Sequence, residues 1–257
     1  DIGVMCNRSN VLIRNNTFQN IQTAGAQVAT AAIYANGNPF FPLLHPIYNI
    51  TVGGYGANDP NTFTNCLTGV YTTTNLNVNV YANTFYRITQ YGVHCQAGNL
   101  GNTINIKNNT INSAKVAIHC FQNSNCTTEI SLNKISVNAL NAILLGTTYG
   151  IDLQEFSSAG VNSHYTVFDN KIQNVRNGIR ANNLNHAIID NNKIELRPTG
   201  TSATVPAKGI EILANSLTQV TASDIQSIPV SSALWVGGID ASLSPNSYIG
   251  SNTLYNM

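Results

Sequence analysis

The stretch Ile104–Cys120, INIKNNTINSAKVAIHC, holds three short apolar alternations separated by two breaks. Ile104 and Ile106 alternate with Asn105 and Lys107. Asn108-Asn109 interrupts them, Thr110-Ile111-Asn112 makes a second run, and Ala117-Ile118-His119-Cys120 makes a third. Each run is far too short for a helix, and a period of two belongs to a β-strand. Asn disfavours helix interiors and favours turns, so the Asn pair marks a corner.

The same unit recurs along the chain. Asn, then Thr or Lys, then an apolar residue occurs at Asn16, Asn61, Asn83, Asn109, Asn133, Asn170, Asn192 and Asn252, with a degenerate copy at Ser223-Asp224-Ile225. The steps are 45, 22, 26, 24, 37, 22, 31 and 29 residues, so the basic unit has 22 residues and the others carry insertions. The third run reads AIYA, GVYT, GVHC, AIHC, AILL, GIRA, GIEI and GIDA. Three short strands per unit describe one coil of a parallel β-helix, with the next coil about 4.8 Å away. One coil cannot bury its apolar face, but a stack can. Like positions then lie over one another. An inward Asn at each corner shares amide hydrogen bonds up the stack, which accounts for 39 Asn in the chain. A β-sandwich has no need of one motif repeated in register, so the expected class is an all-β solenoid of about nine coils of about 22–30 residues.

Residues 1–257 read as a single segment of a longer β-helix, cut mid-coil at both ends: it opens on the third-run copy Gly3-Val4-Met5-Cys6 and closes just after Asn252. Uncapped coil ends expose strand edges and predict end-to-end self-association.

Hydrophobic residues make up 43% of the chain and charged residues 9%, with a net charge of +1. The surface must therefore be built from uncharged polar groups. No basic run points to nucleic acid, and no apolar run reaches the roughly 18 residues of a membrane span. The five cysteines, Cys6, Cys66, Cys95, Cys120 and Cys126, show neither CxxC nor zinc-ligand spacing, and no cofactor is implied. In the third run alternate residues face inward. Val93 and Cys95, and Ile118 and Cys120, then sit in the core, thiol beside thiol in adjacent coils. A disulfide there is geometrically conceivable; buried thiols are the simpler reading.

His94 and His119 fall in the intervening outward column. Extended through every coil, it reads Met5, Tyr34, Tyr71, His94, His119, Leu144, Arg180, Glu211, Asp240. A line of Gly and Ala beside it suggests a shallow groove. The segments between coils include 35–49, 146–164, 197–209 and 228–238. Of these, 146–164 reads as a loop carrying Asp152 and Glu155. Loops on a rigid scaffold are where specificity tends to sit. Phe40, Phe41 and Trp235 could stack on sugar rings. With Tyr34, Glu211 and Asp240 they form the candidate ligand-binding set, although such aromatics more simply pack their loops onto the wall.

The stretches NVLIRNNTF, INIKNNTI, YTVFDNKI and AIIDNNKI, with their G-I/V strands, resemble the right-handed parallel β-helix of the pectate-lyase-like superfamily over nearly the whole chain. The resemblance implies a right-handed, single-stranded coil. It also implies that the third-run face is where polysaccharide lyases, hydrolases and uronate epimerases of that superfamily carry their sites. The candidate catalytic set under it is Tyr71, His94, His119 and Arg180. Tyr or His would abstract the proton next to a uronate carboxylate, and Arg would neutralise that carboxylate. The chain departs from this pattern in its acids. Asp59, Glu129, Asp152, Asp169, Glu195 and Asp224 are scattered rather than clustered for calcium. Only Glu211 with Asp240 could supply two facing carboxylates. Two stacked His lack an evident third metal ligand.

Two functions are therefore expected. The first is a non-catalytic stalk or adhesin-like segment of a secreted or cell-surface protein, whose composition resembles that of large secreted bacterial β-helix proteins and whose partner would be a polysaccharide or cell-surface glycan. The alternative is a lyase or epimerase acting on an acidic polysaccharide. A catalytic groove needs functional groups clustered at one height; a plain rod shows its column open to solvent.

Overall fold

The computed structural model describes residues 1–22, 30–37, 47–74, 76–96, 101–113, 115–121, 125–137, 148–155, 162–197, 207–228 and 236–256. Within them lie 27 strands in three nine-stranded sheets, every neighbouring pair parallel and three strands apart in the chain. This is a right-handed parallel β-helix of nine coils. Sheet A comprises β1 (Ile2–Asn7), β4 (Ala31–Asn36), β7 (Thr68–Thr73), β10 (Tyr91–Gln96), β13 (Val116–Phe121), β16 (Tyr149–Gln154), β19 (Asn177–Asn182), β22 (Ala207–Leu213) and β25 (Val236–Ser242). Sheet B holds the strands before each Asn corner, such as β11 (Thr103–Lys107), and sheet C those after it, such as β12 (Thr110–Ser113). No helix of the described residues is long and apolar enough to cross a membrane.

The corner chemistry explains the doublets Asn-Asn and Asp-Asn. The first residue of each takes the left-handed conformation that turns the chain: Asn15, Asn108, Asp169 and Asn191 have φ of 57°, 57°, 56° and 49°. Asn and Asp accept that region most readily among residues with a Cβ. The second residue points inward and joins the ladder. Asn83 Nδ2 donates to Asn109 Oδ1, Asn109 Nδ2 to Asn133 Oδ1, and Asn133 Nδ2 to Asn170 Oδ1, at 3.0–3.2 Å. Ser223 continues the ladder as a substitute, its hydroxyl accepting from the Asn192 backbone N–H at 3.3 Å.

One residue past the next position, Phe18, Phe63, Phe85, Ile111 and Ile135 stack in register inside sheet C. The Phe63 and Phe85 rings lie 4.5 Å apart and nearly parallel. Such a fully buried side chain contributes about 1.5–3 kcal/mol, and the column repeats that gain at every coil.

Three expectations need correction. The segment 146–164 is not all loop, because Tyr149–Gln154 forms β16, paired with β13 and β19. Asp152, not Leu144, therefore stands between His119 and Arg180; Leu144 lies outside the described residues. The Gly and Ala line makes no outer groove. A Cβ on Gly92 would lie 2.6 Å from the Ala117 carbonyl oxygen and 2.6 Å from Ile111 Cγ2, so the position faces inward and must stay small. Cys95 and Cys120 are in register and buried, and all five cysteines are thiols, so no disulfide closes between coils.

Candidate functional site

Sheet A positions the site. Its in-register column runs Met5, Tyr34, Tyr71, His94, His119, Asp152, Arg180, Glu211, Asp240. The strands fix these side chains at coil spacing, and the inward alternates Val93, Cys95, Ile118 and Cys120 anchor each strand in the core.

The upper part is a ring stack. Tyr34 lies 5.5 Å from Tyr71, and Tyr71 lies 4.5 Å from His94. Tyr91, at the start of β10, tilts over His94 at 4.8 Å and stacks on His119 at 5.1 Å. Phe121 approaches His119 from the other end of β13. The middle of the expected solvent-facing column is therefore covered, with His94 5%, His119 8% and Asp152 3% exposed, while Met5 at its start is 60% exposed.

Hydrogen bonds thread this stack. Tyr71 Oη donates to Gln96 Oε1 at 2.6 Å, and His94 Nε2 lies 3.3 Å from the same atom. His94 Nδ1 and His119 Nδ1 are 3.0 Å apart. His119 Nε2 is buried without a hydrogen-bond partner, 3.7 Å from Asp152 Oδ2. Arg180 clamps Asp152 from below: Nε donates to Oδ1 at 2.7 Å and Nη2 to Oδ2 at 2.6 Å. Gln154 Nε2 adds a third donor to Oδ2 at 2.8 Å. The guanidinium also lies over the Tyr149 ring at 4.3 Å.

Burial dominates the electrostatics. It lowers the pKa of His94 from 6.5 to about 3, helped by the neighbouring His119. Burial also lowers that of His119, against the opposing pull of Asp152. Both imidazoles are neutral at neutral pH. Burial raises the Tyr71, Tyr91 and Tyr149 phenols, which stay protonated.

This gives a pH dependence with a defined sign. A histidine that ionises less readily folded than unfolded takes its proton first in the unfolded chain. Its contribution is full above pH of about 6.5 and is lost as pH falls towards about 3. The slope is about 1.4 kcal/mol per pH unit for one such group. Thermal melts between neutral pH and mild acid should therefore show Tm falling. His94→Phe, which keeps a ring in the stack, should flatten the fall; an unchanged slope would remove His94 as its source.

Further along, the column changes character. Lys208, on β22, bridges Glu211 and Asp240, reaching Asp240 Oδ2 at 2.7 Å. That hydrogen bond holds Asp240 below the usual carboxylate range. Among the described residues Arg180 forms its ion pair with Asp152 and these two acids share Lys208. Beside the buried stretch opens a cleft of about 400 Å³ lined by Tyr91, Lys115, Val116, His119, Tyr149, Asp152, Gln154 and Arg180.

The structure thus sets Asp152 between His119 and Arg180, with His94 against the far side of His119 and Tyr71 beyond it. Tyr34, Glu211 and Asp240 share the column but lie outside the cleft. Phe40, Phe41 and Trp235 fall outside the described residues. Asp152, Tyr91, Gln96, Lys115 and Tyr149 were missed as site residues. Gly150 in Tyr149-Gly150-Ile151-Asp152 was the available signal, since Gly precedes the apolar alternation in most copies. Among the described residues no group of three His, Cys, Asp or Glu could hold a metal ion.

A family model described as a right handed beta helix region matches residues 2–158, more than half of the chain. No curated protein and no solved structure matches it.

Proposed function

The chain belongs to the right-handed beta helix family, and on that premise we propose that it is a non-catalytic scaffold of a secreted or cell-surface protein that holds an acidic glycan in the sheet A cleft. One observation carries this reading: the cleft offers a cation and polar groups but no facing acid and base. Lys115 lines it without an ion-pair partner among the described residues, whereas Arg180 is spent on Asp152. The phenols of Tyr91 and Tyr149 and the amide of Gln154 are groups that meet sugar hydroxyls. Asp152 is the cleft's sole carboxylate among its lining residues, and three donors already hold it. Glu211 and Asp240, the one pair that glycoside hydrolysis could have used, share Lys208. The secreted setting is supported by the sparse charge and the surface of Asn, Thr and Ser.

Calorimetric titration with oligogalacturonate, against a neutral glucan oligomer as control, tests the proposal. The acidic oligomer should bind and the neutral one should not. Lys115→Gln should weaken binding about tenfold, the worth of one charge-assisted hydrogen bond. Equal binding of both oligomers, or an unaltered Lys115→Gln variant, would sink it.

A second reading has one observation in its favour. His119 Nε2 is a buried nitrogen without a hydrogen-bond partner at the edge of the cleft, the place a base for proton abstraction would occupy in a lyase or epimerase. Ultraviolet absorbance of unsaturated uronate products on the same oligomers, lost in His119→Ala, would establish that reading over the first.

A further inference from the structure

Five side chains touch in series across four coils: Tyr71, Gln96, His94, His119 and Asp152. The contact between the two Nδ1 atoms, at 3.0 Å, admits one proton, because both rings are buried and neutral. Only two proton arrangements satisfy it.

In the first, His119 Nδ1–H donates to His94 Nδ1. His94 then carries its proton on Nε2 and donates to the carbonyl oxygen of Gln96, which also accepts from Tyr71. This leaves the lone pair of His119 Nε2 buried and facing the Asp152 carboxylate at 3.7 Å. A bare lone pair against an anion in a dry site is repulsive. In the second arrangement His119 carries its proton on Nε2, towards Asp152, and its Nδ1 accepts from His94 Nδ1–H. His94 Nε2 becomes an acceptor, and the Gln96 amide, turned end for end, donates to it and to the Tyr71 oxygen. Turning the amide changes the shape of the site hardly at all, since its oxygen and nitrogen are nearly the same size. Each ring nitrogen then faces a group of the right sign, within hydrogen-bond distance for all but His119 Nε2, whose N–H points at the Asp152 carboxylate from 3.7 Å.

We infer that Asp152 is a positioning residue that fixes the protons on both histidines, holding His119 in the Nε2–H form and His94 in the rarer Nδ1–H form. Arg180 makes this possible by keeping the carboxylate in place through two hydrogen bonds. Burial, with Arg180 and Lys115 nearby, acts against a second proton on His119 and outweighs the Asp152 carboxylate, which keeps the pair neutral. The consequence, resting on the cleft proposed above, is that His119 presents no base to that cleft, its Nε2 proton being directed at Asp152. An acidic ligand meets the Lys115 ammonium, and proton abstraction at His119 has no lone pair to use.

Long-range ¹⁵N–¹H correlation spectra of the imidazoles in the unliganded protein test this, independently of whether any glycan binds. The expected pattern is a protonated Nδ1 on His94 and a protonated Nε2 on His119. The reverse pattern, or Nε2–H on both, overturns the inference. In Asp152→Ala the carboxylate is gone, and His94 should revert to the Nε2–H form; persistence of the wild-type pattern would show that Asp152 does not set it. If that variant fails to fold, Gln96→Met decides. It removes the other end of the series while leaving Asp152, so His94 should keep Nδ1–H, and reversion there would assign control to Gln96 instead. A purely structural role for Asp152 would leave the tautomers unmoved.

Discussion

Asn109→Ala is expected to lower the unfolding free energy by about 3 kcal/mol, since each buried polar group left unpaired costs about 1–3 kcal/mol. Asn109 is fully buried at the middle of the ladder. Its Oδ1 accepts from the Asn83 backbone N–H at 2.9 Å and from Asn83 Nδ2 at 3.2 Å. Its Nδ2 donates to the Val80 carbonyl at 2.9 Å, to the Lys107 carbonyl at 3.1 Å and to Asn133 Oδ1 at 3.1 Å. Alanine strips partners from two coils at once and leaves groups that water cannot reach. Serine keeps part of the network, because a hydroxyl at this place can accept the backbone N–H of the coil above, as Ser223 does for Asn192. Asn109→Ser should therefore lose about half as much. Urea unfolding followed by circular dichroism separates the two variants. If alanine and serine cost the same, the ladder's backbone bonds are not what stabilises the corner.

The ladder was legible in the sequence because it is the one feature that every coil must repeat. A stacked Asn works only with another Asn, or a near substitute, above and below it, so the requirement prints itself at each corner. Strand alternation is a weaker guide. The run Ala142-Ile143-Leu144-Leu145 lies at the usual distance from Asn133 and alternates acceptably, yet β16 begins at Tyr149. Apolar residues say which face a strand buries but not which of two adjacent apolar runs pairs, because backbone hydrogen bonds do not depend on the side chain. Gly150 shows what the place requires. Its Cβ would sit 2.5 Å from Ile172 Cγ2, so this place takes only a small residue, as Ala117 is one coil earlier.

The site was partly legible for a related reason. The column order followed from period two, which placed Tyr71, His94, His119 and Arg180 correctly. Their burial did not, because it comes from residues outside the column. Tyr91 lies three positions before His94 on the same strand and covers His119 of the next coil. Lys208 lies three positions before Glu211 and reaches across to Asp240. Such contacts depend on side-chain direction across coils, which a pattern of apolar and polar letters does not carry.

Arg180→Met is expected to cost about 3–5 kcal/mol, the range for stripping one partner from a buried ion pair. Asp152 is almost wholly buried, and both its oxygens accept from the guanidinium. Without Arg180 the carboxylate keeps only Gln154 Nε2 as a close donor, with His119 Nε2 at 3.7 Å. Asp152→Asn alone should cost less, because the Arg180 side chain is 21% exposed and can recover water. In the double variant a neutral amide faces a neutral thioether and no charge is stranded. The two losses should therefore fall short of adding, by about 2 kcal/mol, in a double-mutant cycle from urea unfolding. Additive losses would mean that the pair is not coupled and that the clamp is incidental. The same double variant separates the two functions. If Arg180 served to neutralise a bound uronate, its removal would abolish oligogalacturonate binding even where stability is restored. If Arg180 serves Asp152, as its two short hydrogen bonds require, the double variant should bind the oligomer as the parent does, and Lys115→Gln alone should weaken binding. The carboxylate that looked like an isolated surface acid in the sequence would then be the reason this arginine is present.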